Sequence, residues 1–160
     1  QNLTLLGQLA DVNAEAARVR GDLEGRIAAV TAQLAGATNK PRVYFELDAS
    51  QFYSVGPKTL IDDLITRAGG ANIAADSGTP YPKLSPEQII AKDPEVIILS
   101  NEGLGATIAS VKARPGWGVI SAVKSGRIAG INPDVASRPG PRAVDALEQM
   151  VRAIHPELFR

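Results

Sequence analysis

Tyr81-Pro-Lys-Leu-Ser-Pro-Glu-Gln-Ile-Ile-Ala-Lys-Asp-Pro-Glu-Val-Ile-Ile-Leu99 runs from a loop through a helix into a strand. Ser85 is a capping residue, Pro86 suits the first helical position, and Gln88 can close a capping box. A short helix is therefore expected over Ser85–Lys92. Glu87 falls in its first turn, where a negative charge complements the helix dipole, so on this reading it is simply a good helix residue. Glu95–Leu99 reads as a buried strand, its apolar run Val96–Leu99 being what a strand covered on both faces of a parallel sheet requires.

Outward from this stretch the alternation repeats. Arg42–Leu47 reads as a strand and Pro57–Ala68 as a helix with Leu60, Leu64 and Ile65 inward. Gly69-Gly70 ends that helix, because glycine accepts the left-handed conformation past a helix end. Short helices are expected within Thr107–Ala113 and around Trp117–Lys124. Arg127–Ile131 is the next strand, and Pro141–Ile154 a final helix opened by proline in its first turn. Strands alternating with helices predict an α/β fold, a mostly parallel sheet with helices on both faces, over residues 41–160.

Residues 1–40 differ. Leu9, Val12, Ala16, Val19, Leu23, Ile27, Val30 and Leu34 step by three and four, one face of a long helix. Asp11 is the expected N-cap of its longer part, and Gly36, Asn39 and Pro41 stop it. Gly21 and Gly25 each cost about 1 kcal/mol inside a helix, so packing has to hold it. The segment suits a connector preceding the lobe, or an ordinary packing helix.

Seventeen Lys and Arg balance seventeen Asp and Glu, which argues against a nucleic-acid footprint. No stretch approaches the roughly 20 apolar residues of a membrane span. Residues 1–9 show no signal-peptide pattern. With no cysteine and one histidine, disulfides, thiolate chemistry and multi-histidine metal sites are excluded. His155 is the sole candidate base for a Ser-His-Asp relay, and its place at the end of the final helix fits a charge on the helix dipole better. Glu46 and Asp48 point to one side of a strand end, with no second feature demanding acid–base work. No catalytic constellation is present, so neither an enzyme nor a catalytic cofactor is expected.

In open α/β sheets ligands bind beyond the carboxyl ends of the strands. The loops leaving those ends are Asp48–Gly56, with Phe52 and Tyr53, then Ser100–Gly105, and Asn132–Gly140. A fourth loop, Ala74–Leu84, carries Tyr81 between Pro80 and Pro82. Phe52 and Tyr53 either cover the sheet edge or contact a ligand, and Tyr81 is either a surface aromatic or a contact. Asp134 is a natural turn former. Ser100–Gly105 lacks the lysine and spacing of a P-loop. Trp117, between two glycines, is expected to pack against the sheet.

Gly69-Gly-Ala-Asn-Ile73, the run Tyr81–Leu99 and Ser137-Arg-Pro-Gly-Pro-Arg142 together resemble the C-terminal lobe of the class III binding proteins. These serve ABC importers of vitamin B12, iron-siderophores and haem. The resemblance covers about residues 41–159 and implies two α/β lobes joined by a long helix, the N-terminal lobe being absent from this chain. It further implies delivery of cobalamin or a related corrinoid to a permease, from a periplasmic or extracytoplasmic location, with or without a membrane anchor. The ligand contacts of the B12-binding members map onto Tyr53, Tyr81 and the loop holding Asp134, Val135, Ser137 and Arg138. Their permease-docking glutamate maps onto Glu87. Where those relatives often carry tryptophan, this chain has tyrosine. The alternatives within the fold are haem, with Tyr53 or Tyr81, or else Tyr44 or His155, as axial ligand, and a ferric siderophore held by Arg138 and Arg142. An alternative of another class is a helical interaction module, against which Gly21 and Gly25 speak.

Overall fold

Four short parallel strands organise the chain: β1 Arg42–Glu46, β2 Ala71–Asn72, β3 Val96–Leu99 and β4 Ile128–Gly130, in the order β2-β1-β3-β4. The computed structural model describes residues 2–100, 106–136, 138 and 140–159, with backbone alone at 2, 133 and 134. Val43 sits opposite Val96, and Glu46 opposite Leu99. β2 pairs through two residues only, too few to show any periodicity in the sequence.

Alternation along the strands sends side chains to two separate cores. Val43, Phe45, Val96 and Ile98 face α2 (Asn13–Leu34), α3 (Leu60–Arg67) and α8 (Ala143–Ile154). Tyr44, Ile97, Leu99 and Ile128 face α4 (Pro86–Lys92), α5 (Ile108–Lys112), the 3-10 turn Trp117–Val119 and α6 (Ser121–Ser125). The α/β architecture is as expected, with helices on both faces. Trp117 packs against the sheet, only 1% exposed.

Several boundaries move for local reasons. α3 begins three residues later than expected, because Lys58 takes a left-handed φ of 64° and Thr59 becomes the cap, accepting from the Asp62 amide at 3.1 Å. Past Ala68, Gly69 is left-handed (φ 76°), and the amides of Gly69 and Gly70 bond the carbonyls of Thr66 and Ile65. A Cβ at Gly69 would also lie 2.8 Å from His155 Nε2, so both backbone and space require glycine there. α4 starts as read, with both bonds of the capping box between Ser85 and Gln88 present. α8 begins at Ala143, leaving Pro141 and Arg142 in the preceding turn.

The N-terminal helix is interrupted. α1 (Asn2–Leu9) ends before Asp11, whose φ of 54° is incompatible with a cap, and Val12 takes the cap position of α2 without a side-chain bond. α1 folds back along α2, where Arg20 Nη1 donates to Thr4 Oγ1 at 3.2 Å. Only the second half of α2 joins the lobe. Val30 is buried there, Ile27 and Leu34 pack beside it, and Arg26 bridges Asp145 and Glu148 of α8. Gly21 and Gly25 face open space, so α2 is held by α1 before them and by the lobe beyond them. Leu5, Leu6, Leu9 and Val12 stay exposed, Leu9 at 77%.

Candidate functional site

Because every strand pair is parallel, the carboxyl ends share one edge of the sheet, and the loops leaving it form the candidate site. The first loop is shaped by Asp48. Its Oδ1 accepts from the Ser50 hydroxyl at 2.6 Å, the Ser50 amide at 2.7 Å and the Gln51 amide at 3.2 Å. These bonds, the Ser50 hydroxyl foremost, hold the carboxyl below the ordinary aspartate range. Asp48 thus serves its own turn. Glu46, two residues earlier, is fully buried and makes a two-point ion pair with Arg114, at 2.5 and 2.9 Å. The two carboxylates therefore share no acid–base geometry.

The loop then runs back against the Tyr81 loop. Tyr53 bridges Asp48 on one side and Lys83 on the other, both antiparallel. The Ser54 amide donates to the Pro82 carbonyl at 2.9 Å, Gly56 to Pro80 at 2.8 Å, and Leu84 to Phe52 at 3.1 Å. Gly56 permits the closeness, since a Cβ there would lie 1.9 Å from the Thr79 carbonyl oxygen. Lys83 Nζ adds a bond to Gln51 Oε1 at 2.8 Å. Tyr53 and Tyr81 consequently stand on two adjacent, stitched segments, exposed at 39% and 60%. Phe52 turns the other way and packs on the core around Trp117.

The remaining expected contacts are less uniform. The third loop contains a short helix, α7 (Pro133–Ala136), with Asp134 in it; the side chain of Asp134 and all of Ser137 lie outside the described residues. Val135 is half-buried and packs against the α8-side core, while Arg138 is exposed. In the loop after β3, the Ser100 hydroxyl donates to the Glu46 carbonyl at 3.0 Å; residues 101–105 are outside the described set.

Two of the four residues named as haem ligands are unavailable. Tyr44 is fully buried beneath the sheet; burial pushes its phenol up, the Glu46 carboxylate adds to the rise, and among the described residues its hydroxyl has no partner. His155 is fully buried at the end of α8, with Nδ1 2.8 Å from Glu157 and Nε2 3.4 Å from the Gly69 carbonyl. That places it by the turn leading into β2, at the amino edge of the sheet. No group of three His, Cys, Asp or Glu suited to a metal occurs among the described residues. Likewise, among them no helix is long and apolar enough to cross a membrane.

Glu87 is exposed in the first turn of α4. Its own backbone amide and the Ser85 hydroxyl hold its carboxyl below the ordinary range, so it is ionised at neutral pH.

Residues 1–135 match the family described as periplasmic binding protein. The chain belongs to that family. A cobalamin-binding protein of Halobacterium salinarum is 35% identical over 94% of this periplasmic binding protein chain. An uncharacterized ABC transporter substrate-binding lipoprotein of Bacillus subtilis is 30% identical over 68% of it. The chain spans only 42% and 33% of the lengths of these two relatives. Among solved structures, the periplasmic haem-binding protein RhuT from Roseiflexus superposes with a TM-score of 0.83 at 27% identity, covering 98% of this chain and 61% of its own.

Sequence reasoning missed Arg114 as a partner of the site. A signal existed, since Glu46 interrupts the strand Val-Tyr-Phe-Glu-Leu at an inward position, and a buried carboxylate demands a cation.

Proposed function

We propose that this chain is the C-terminal lobe, with part of the connecting helix, of an extracytoplasmic solute-binding protein that delivers a corrinoid to an ABC permease. Residues 1–40 are the connector and 41–160 the lobe. The reading rests on the stitched lip carrying Tyr53 and Tyr81 at the carboxyl edge of the sheet. Two exposed aromatic faces beside a short polar rim suit a broad, largely apolar macrocycle better than a small polar solute. Asp134, Val135, Ser137 and Arg138, which follow β4 in the chain, are the further proposed contacts. The cobalamin-binding relative supports the corrinoid as first choice.

Titration of the full-length protein with cyanocobalamin, hemin and a ferric hydroxamate tests this. Cyanocobalamin is expected to bind tightest, and Tyr53→Ala and Tyr81→Ala each to weaken it. Tight binding of the hydroxamate with no response to cyanocobalamin overturns the ligand assignment. A second reading, haem, is favoured by the similarity to RhuT and by the two exposed phenols, since tyrosine is a known haem ligand. Hemin binding tighter than cyanocobalamin, with a charge-transfer band lost in one tyrosine variant, would establish it.

Glu87 is the proposed permease contact, an exposed ionised carboxylate suited to a two-point pair with arginine. Glu87→Ala is expected to leave ligand affinity unchanged and to weaken permease engagement by about 2–5 kcal/mol if the pair is desolvated on docking. Unaltered uptake removes that role.

A further inference from the structure

Beneath the lip, one side chain grips two of the segments that present Tyr53. Arg114 follows α5, and its guanidinium donates to both Glu46 oxygens at the end of β1. The same group lies over the Trp117 ring, 4.5 Å from its centroid, and over the Phe52 ring at 5.2 Å. Trp117 in turn meets Phe52 at 5.9 Å and Tyr44 edge-on at 6.1 Å. Arg114 is mostly covered, with its side chain 14% exposed, so these interactions are weakly screened.

Phe52 is where this grip matters. Its φ is 55°, a left-handed backbone that an aromatic residue adopts only when its surroundings impose it. The imposed bend turns the chain between a ring packed inward, Phe52, and one exposed outward, Tyr53. Backbone bonds close the bend on both sides, Leu47 to the Tyr53 carbonyl at 2.9 Å and Leu84 to the Phe52 carbonyl at 3.1 Å. Without the ring-and-guanidinium stack, the unfavourable φ loses its inward anchor and rests mainly on these backbone bonds.

We infer that Arg114 is a positioning residue: held by Glu46 and stacked on Phe52 and Trp117, it fixes the bend that presents Tyr53 and so sets ligand affinity without touching the ligand. The inference rests on the reading of the Tyr53 lip as ligand-facing. A lysine would keep the charge but lose both the fork and the planar stack.

The experiment compares Arg114→Lys and Phe52→Leu with the parent full-length protein, by amide hydrogen exchange and by cyanocobalamin titration, or by hemin titration should hemin prove the tighter ligand. Phe52→Leu leaves the Glu46 pair intact and so covers the case in which Arg114→Lys folds poorly. Both variants are expected to speed exchange at Leu47, Ser54 and Leu84 by about tenfold while α8 amides keep their parent rates. Both should weaken binding by about tenfold, and by less than about twofold when Tyr53→Ala is already present. Exchange accelerated evenly across the lobe means a merely structural role and overturns the inference. So does an affinity loss of equal size with and without Tyr53. If Tyr53→Ala leaves affinity unchanged while the exchange pattern stays local, the grip on the loop stands, and it is the assignment of Tyr53 as a ligand contact that fails.

Discussion

On one face of the sheet, Val43 and Phe45 of β1 pack among Met150, Val151 and Ile154 of α8 and Ile61 and Ile65 of α3. On the other face, the same strand presents Tyr44 and Glu46, and the carboxylate lies fully buried against Arg114. The first face also has a polar link, Arg26 to Asp145 and Glu148, but it sits at the rim with a third of the Arg26 side chain exposed. The difference teaches what each face does. Apolar packing is non-directional and tolerates small shifts, which suffices to hold helices on a sheet. A buried two-point ion pair contributes little net stability after desolvation, but it allows one geometry only. That geometry lies under the loop that carries Phe52 and Tyr53.

The sharpest way to break the comparison is to leave Glu46 buried without its partner. Arg114→Met is expected to cost about 3–5 kcal/mol in denaturant unfolding, and replacing Glu46 with leucine as well should recover most of it. A loss below about 1 kcal/mol would mean that the pair is solvated, and the contrast between the faces would disappear.

Met150→Ala tests the apolar face. Met150 is fully buried, and truncating it should cost about 2–5 kcal/mol through lost burial and the cavity left behind. That loss should not change with salt, and no second substitution of a charged residue should rescue it.

The smallest effect belongs to the rim. Arg26→Ala should cost at most about 1 kcal/mol, because a pair one-third exposed is screened by solvent. The cost should shrink further in high salt. A salt-independent loss as large as that of Arg114→Met would place the Arg26 cluster with the buried pair.

Much of this organisation was legible in order along the chain. Ser85-Pro86-Glu87-Gln88 encodes its helix start through bonds within four residues, and the capping box forms as read. Gly69-Gly70 likewise carries its own helix end. Asp11 shows where such local reading stops. As a cap candidate it has the right chemistry, but α1 folds back along α2, and the chain reverses at Asp11 in a left-handed conformation instead. The short helix at Pro133–Ala136 was read as loop because four residues span barely one turn and show no period.

Local bonds and hydrophobic alternation thus sufficed, from the sequence alone, for the strand–helix order and the place of Glu87 in a first helical turn, since each depends on residues a few positions apart. The parallel sheet followed from that order, because strands joined through helices run the same way. The partners of the candidate site were decided only by the tertiary structure. Tyr53 meets Lys83 across thirty residues of chain, and Glu46 meets Arg114 across sixty-eight. Such pairings depend on which loops the sheet order β2-β1-β3-β4 brings to one edge, and no local pattern encodes them. His155 makes the same point in reverse. Its sequence position suggested a charge on a helix end, yet folding buried it against Gly69, because the end of α8 packs beside the turn that leads into β2.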